Sequence, residues 1–355
     1  MRLSATSLNR TLLARQLLLT RTRLPIGRAL ERVGGLQAQY APSPYVRLWS
    51  MLDGFSRDDL TRALERRRAV QGTLMRSTIH LVSARDYWRF EAGIGPSRRE
   101  WWLRTWGRHE LAENVDFVAR ELEGRLAGRT WHRKEIDALR SEKSAPGWSG
   151  MWIPLVRVPP SGTWERRRAD LFRLAGEWLP RERVTEDEGL EHLLRRYLAA
   201  FGPSTLKDAA TWAGVGRASL LPVAERMRLR TLRDEDDKEL VDLPRAPLVR
   251  EDAPAPVRFL GHWDAVLLVH VRRTQVLPER FRGLVFSNRA PQSMATFLVD
   301  GAVAGSWRVE RTARKATLRL EPFEPLPRAA RAELRGEGAG IVRFHEPDAT
   351  SYAVR

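Results

Sequence analysis

Gln37 and Gln39, separated by Ala38 and placed just after Gly34-Gly35, are the side chains whose type and spacing most suggest chemistry. A carboxamide donates and accepts hydrogen bonds but takes no proton at neutral pH. The pair can therefore hold a water or a base edge, yet neither member can act as acid or base. Positions i and i+2 share a face only where the chain is extended; on a helix they diverge by about 200°. A short extended device on a bend is expected. Two solvated loop amides satisfy the same residues, so the surroundings must decide.

Other chemistries are poorly represented. Cysteine is absent, which excludes disulfides, thiolate zinc sites, iron–sulfur clusters and cysteine nucleophiles. His262 and His270 have no third ligand close in sequence and read as structural or DNA-facing, so neither a metal nor a cofactor is expected. Asp264, in Gly261-His262-Trp263-Asp264, could activate a water or simply begin a strand. Gly214-Val215-Gly216 has no strand before it and reads as a helix–helix turn rather than a nucleotide loop.

Charge points to the partner. The formal net charge is +17, and only Lys134, Lys143, Lys207, Lys238 and Lys315 among 61 basic residues are lysine. Arginine suits phosphate because its planar fork donates two hydrogen bonds at once. A polyanionic partner, nucleic acid before membrane, is the expectation; an arginine bias of this kind also arises from a GC-rich genome. Trp101, Trp102 and Trp106 interleave with Arg98, Arg99 and Arg104, a run suited either to bases and phosphates or to packing between two units. No apolar run is long enough to span a membrane, and no signal-peptide core precedes Asn9 and Arg10. A cytoplasmic, bacterial, monomeric protein associated with the nucleoid through DNA is expected.

The elements that must position these residues recur in a common order. Helical spacing covers residues 7–19 and 26–33, a further helix follows Pro42, and Ser56 caps one running to about Arg67. Short β-like runs at 70–75 and 79–82 then complete the outline of a winged-helix unit. Residues 115–126 and 132–139 read as helices, followed by strands at 152–158 and 163–168 around Pro159-Pro160-Ser161-Gly162. Arg157, Trp164, Arg166, Arg167 and Arg168 lie on this second hairpin, whose tip should be exposed to DNA. Helices at 190–201, 206–213 and 217–227 form the third unit. Acidic Asp234 to Asp237 and proline-rich 244–256 read as a boundary. Beyond it, apolar runs at 266–271, 284–287, 295–299, 303–309 and 316–320 suggest a small barrel closed by a helix near 328–335.

The expected fold is mainly α with β: three tandem winged-helix units, 1–90, 91–185 and 186–243, and a small C-terminal β-barrel at 244–355.

The segments Leu36-Gln37-Ala38-Gln39, Gly72 to Ala84, Trp263-Asp264 and Phe297 to Arg308 together resemble the tandem winged-helix DNA glycosylases, the AlkZ-like family. The type member of that family unhooks azinomycin interstrand crosslinks. The resemblance covers essentially the whole chain. It implies a catalytic glutamine-x-glutamine motif at Gln37 and Gln39 in a basic channel. Gln39 places the chain with the self-resistance branch, since a sister branch carries aspartate there. Arg76, Ser77, Thr78 and His80 match a family segment and are expected to bind DNA, with no separate catalytic role assigned to any of them.

The chemistry sharpens the expected substrate. Glycoside hydrolysis ordinarily needs a carboxylate and a proton donor, and two amides supply neither. They suffice where the base is already cationic, as a purine alkylated at N7 is. The expected activity is monofunctional hydrolysis of bulky N7-alkylpurines and crosslinks in double-stranded DNA, with water positioned by Gln37 and Gln39. The scarcity of lysine argues against a Schiff-base lyase. A winged-helix transcription regulator without catalysis is the alternative.

Overall fold

A computed structural model describes residues 1–106, 115–139, 149–268, 276–286 and 293–355. The first segment runs α1 (Ala5–Arg15), α2 (Ile26–Val33), β1 (Leu36–Gln37), α3 (Pro42–Met51), α4 (Arg57–Glu65), β2 (Ala69–Thr73) and β3 (Ile79–Ser83). The second adds α5 (Ala84–Trp106), α6 (Val115–Leu126), β4 (Trp131–His132), α7 (Arg133–Leu139), β5 (Leu155–Arg157), β6 (Leu171–Leu174) and α8 (Ala175–Trp178). The third contains α9 (Glu186–Phe201), α10 (Leu206–Ala213), α11 (Arg217–Arg226), β7 (Arg230–Arg233) and β8 (Glu239–Asp242). The last holds β9 (Arg258–Leu260), α12 (Ala265–Leu268), α13 (Glu279–Val285), β10 (Thr296–Val299), β11 (Ala302–Arg311), β12 (Lys315–Pro322), α14 (Arg328–His345) and β13 (Ser351–Val354). Among the described residues no helix is long and apolar enough to cross a membrane.

Local chemistry sets many of these bounds. Capping boxes, Ser56 with Asp59 and Thr185 with Glu188, start α4 and α9 by satisfying otherwise free amides. Gly34 and Gly214, both left-handed, end α2 and α10. Helices α5 and α9 cross at Gly93 and Gly189, where a Cβ on Gly93 would fall 2.6 Å from the Gly189 carbonyl carbon. That close approach stacks Phe90, Tyr197, Phe201 and Trp212 into one buried aromatic group behind the site.

A six-stranded sheet, ordered β1-β3-β2-β5-β6-β4, spans the first two segments. The pairing of Gln71 with Arg157 and Gly72 with Val156 carries it across residue 90. The glutamine motif and the second hairpin are thus fixed to one hydrogen-bonded frame.

Several expectations need correction. The C-terminal sheet, β13-β12-β11-β10-β9, is open rather than a closed barrel. After β12 the chain returns through α14 to the β12 edge, where β13 pairs in parallel. Buried Leu334, Ile341 and Val342 of α14 join the same core as Phe297, Trp307 and Leu318 of the sheet. The runs expected as strands near 266 and 284 begin as helices α12 and α13; 269–271 and Ser287 lie outside the described residues, as do His270 and Lys143. Short apolar runs carry no period that separates strand from helix. In the second hairpin β5 pairs with Leu171–Leu174, so 163–168 is not its second strand. The acidic run Asp234 to Asp237 joins β7 to β8 as a ribbon turn, with the Asp234 carboxylate accepting from the Asp236 and Lys238 amides.

Candidate active site

The bend that presents the glutamines is made by two glycines. Gly34 and Gly35 have φ of 76° and 82°, and a Cβ on Gly35 would stand 2.8 Å from Val82 Cγ1. The chain then enters β1, where Gln37 lies opposite His80. Because the backbone is extended here, Gln37 and Gln39 meet on one side: Gln37 Nε2 donates to Gln39 Oε1 at 2.5 Å. Gln37 is only 7% exposed, whereas Gln39 is open to solvent.

Behind them lies Arg76, in the connection between β2 and β3, at φ 53° and followed by Ser77 at 59°. Its Nη2 donates to Gln37 Oε1 at 2.9 Å and its Nη1 to the Trp212 carbonyl at 2.6 Å. No carboxylate among the described residues forms an ion pair with it. Burial pulls its pKa down to about 10, which leaves it cationic at neutral pH. Gly214 abuts its backbone: a Cβ there would be 2.8 Å from the Arg76 nitrogen.

His80 is buried, with Nδ1 3.1 Å from the Thr78 carbonyl, while Thr78 Oγ1 donates to the Met75 carbonyl. Burial first, and then the charge of Arg76, push the imidazole down to about 3. It is neutral throughout the working range and cannot serve there as a proton donor in its charged form. Ser77 and Thr78 are half-buried.

The hairpin residues divide between interior and surface. Arg157 is buried beneath the motif, where Nη1 donates to Gln71 Oε1 at 2.8 Å and to the Ala38 carbonyl at 3.4 Å. Gln71 in turn donates to the Gly162 carbonyl at 3.1 Å. Trp164 is buried against Tyr45, Phe344 and His345, with Arg57 and Arg167 over its ring. Arg166, Arg167 and Arg168 stay exposed; Arg166 pairs with Asp170 at 3.1 Å, and Arg167 donates to the Tyr40 hydroxyl at 3.4 Å. The hairpin tip is thus anchored through Trp164, with its arginines beside Tyr40, the residue after Gln39.

Tyr40 also meets His262 edge to face, with ring centroids 5.0 Å apart. Asp264 does not stand free to activate a water. It pairs with buried Arg47 at 3.2 Å and accepts from the Val266 amide, while Arg47 donates to Gln16. The tryptophan run splits: Trp102 is buried and Trp101 exposed, Arg98 binds Glu91 and Arg99 binds Asp116, and the Trp106 side chain lies outside the described set. Tyr40 and Trp212 were not foreseen as site residues. Tyr40 is adjacent to the motif and could have been found by position; the Trp212 carbonyl carries no signal in sequence. No group of three or more His, Asp or Glu among the described residues forms a metal-binding cluster.

The family model for AlkZ-like DNA glycosylases matches residues 30–344. The chain belongs to the AlkZ-like DNA glycosylase family. It is therefore read as an enzyme of the DNA glycosylase class. Among AlkZ-like relatives, it is 22% identical to the interstrand DNA cross-link repair glycosylase of Streptomyces sahachiroi, over 93% of each protein. The solved structure of Streptomyces sahachiroi DNA glycosylase AlkZ shares the fold with a TM-score of 0.82, covering 100% of both chains at 21% identity. The AlkZ-like match contains both glutamines, Arg76 and the Arg157 hairpin.

Proposed function

We propose that this AlkZ-like enzyme hydrolyses the N-glycosidic bond of N7-alkylpurines in duplex DNA, including bulky and crosslinked adducts, with Gln37 and Gln39 holding the water. The observation that carries the reading is the amide pair itself: hydrogen-bonded, half-exposed, backed by a cation and faced by a neutral histidine.

An N7-alkylated purine carries a positive charge before the enzyme acts. Breaking C1′–N9 returns the bond pair to the purine and discharges that positive charge, so the departing base needs no protonation. The sugar develops oxocarbenium character. Water donating to Gln39 Oε1 and accepting from the second hydrogen of Gln37 Nε2 keeps one lone pair for C1′. As the C1′–O bond forms, the water becomes acidic and releases its proton to solvent, leaving a hydroxyl on the abasic sugar. Catalysis rests on placement rather than proton transfer, so unmodified purines should be left intact.

DNA contact is assigned to Arg166, Arg167 and Arg168 on the hairpin, to Tyr40 beside them, and to Ser77 and Thr78 at the rim. Arg157, Trp164 and His80 support this surface from inside. The segments 1–90, 91–185 and 186–243 are proposed as three winged-helix units, with β7–β8 as the ribbon of the third, and 244–355 as an accessory domain. Unhooking on denaturing gels tests the reading, using duplex crosslinked through guanine N7 positions. Wild type should convert the crosslinked band to single strands, and Gln37→Ala should slow this by about 100-fold or more while duplex affinity changes only a few fold. Duplex binding without unhooking or base release by wild type would favour a non-catalytic regulator.

A further inference from the structure

We infer that Arg76 is a positioning residue that fixes the direction of the Gln37–Gln39 hydrogen bond and ties that direction to the end of helix α10. This rests on the glycosylase reading of the glutamine pair.

A glutamine amide is nearly symmetrical in shape, and turning it over exchanges its donor and acceptor ends. Either direction of the Gln37–Gln39 bond would fit the same space. Arg76 removes the choice. A guanidinium only donates, so the Gln37 atom facing Nη2 must be Oε1. The atom of Gln37 facing Gln39 is then Nε2, and the Gln39 atom that receives it must be Oε1. What remains at the exposed end is a Gln37 N–H beside a lone pair on Gln39 Oε1. That is one donor and one acceptor, the pair that orients a single water. Reversing the bond would place the Gln39 carbonyl elsewhere and dismantle this arrangement.

Arg76 is itself held by main chain. Nη1 donates to the Trp212 carbonyl, one of the carbonyls left free at the C-terminal end of α10. Such carbonyls carry the negative end of the helix dipole and favour a cation without adding a titratable group. The Trp212 side chain is locked between Phe90, Tyr197 and Phe201. Gly214, at φ 77°, brings the α10–α11 turn against the Arg76 backbone where a Cβ would be 2.8 Å from its nitrogen. A carboxylate in place of this carbonyl would neutralise the cation, and could turn the guanidinium away from Gln37.

This role differs from phosphate binding in what a substitution would change. In Arg76→Met, positioning predicts a single-turnover rate of N7-methylguanine release lowered about 10- to 100-fold, with duplex affinity and its salt dependence unchanged. Arg76→Ala should recover part of its rate in added guanidinium ion. Arg76→Lys, which keeps the charge without the fork, should stay well below wild type. A phosphate contact predicts the opposite: a normal rate at saturating enzyme, weaker binding, and a salt slope reduced by about one. That result overturns the inference and leaves the glycosylase reading standing. A second readout needs no turnover. The side-chain 15N amide signals of Gln37 and Gln39 in DNA-free, folded Arg76→Met should both move from their wild-type positions. If both stay in place, Arg76 does not orient the pair, whether or not the wild type releases base.

Discussion

His80, expected from its sequence segment to bind DNA, is buried in the structure, and its surroundings make it a statement about stability. Held near pKa 3 by burial and by Arg76, it stays neutral in the fold but protonates near its ordinary value of 6.5 when the chain unfolds. The unfolded state therefore binds more protons between these two values, and stability falls as pH drops from about 6.5 toward 3. Denaturant titrations should show wild type losing stability through this window, and His80→Gln losing less. Parallel curves for the two proteins would show that His80 does not titrate on unfolding. At this scale the meeting of Gln37 and Gln39 on one side was legible from their i, i+2 spacing on an extended segment. The spacing alone did not separate them from loop amides, and their proposed role came from the family resemblance. Arg76 was visible only as a member of a run, since its second partner, the Trp212 carbonyl, is far away in sequence and belongs to the main chain. Arg157 was read as a surface cation because charge suggests exposure; the structure places it under Ala38, bonded to Gln71.

Helices α5 and α9 set the platform on which the motif rests, and the contact that fixes them is nearly bare backbone. Gly189 has Gly93 nitrogen 2.3 Å from where its Cβ would be, so any side chain there forces the helices apart. Gly189→Val should destabilise the protein by about 1–3 kcal/mol or more, the usual cost of overpacking. Thermal melts read this directly, and an unchanged midpoint would mean that the crossing is looser than described. Helices with caps and a clear apolar face, such as α4, α9 and α10, were readable from sequence. Elements made by distant pairing were not. Strand β6 sits at 171–174, beyond a stretch in which Trp164 is buried and Glu165 to Arg168 are exposed and outside any strand. The acidic run at 234–237 read as part of a boundary because its flanking strands are only four residues each.

Across the whole molecule, arginine does two kinds of work. Arg10, Arg15, Arg47, Arg98, Arg157 and Arg258 are buried and join distant parts of the chain, so the net charge of +17 is not all presented to DNA. Exposed Arg167 reaches the hydroxyl of Tyr40, the residue after Gln39, and the sheet shared by the first two segments holds Gln37 and the hairpin strands in one frame. The open C-terminal sheet was unreadable from periodicity alone, because a strand list does not say whether its ends meet. The Gln37–Gln39–Arg76 cluster contains no amine, so an imine with the abasic sugar has no nucleophile there. Borohydride added during turnover should trap no covalent protein–DNA complex, and a trapped complex would make the enzyme a lyase. The central claim is that two amides, without a carboxylate, are enough for a base that is already cationic. Its most direct test is mass-spectrometric detection of free base from one duplex carrying N7-methylguanine. Wild type should release N7-methylguanine and no unmodified purine, and Gln37→Ala and Gln39→Ala should each release little or none while still binding the duplex. Undiminished release by both variants would contradict the account.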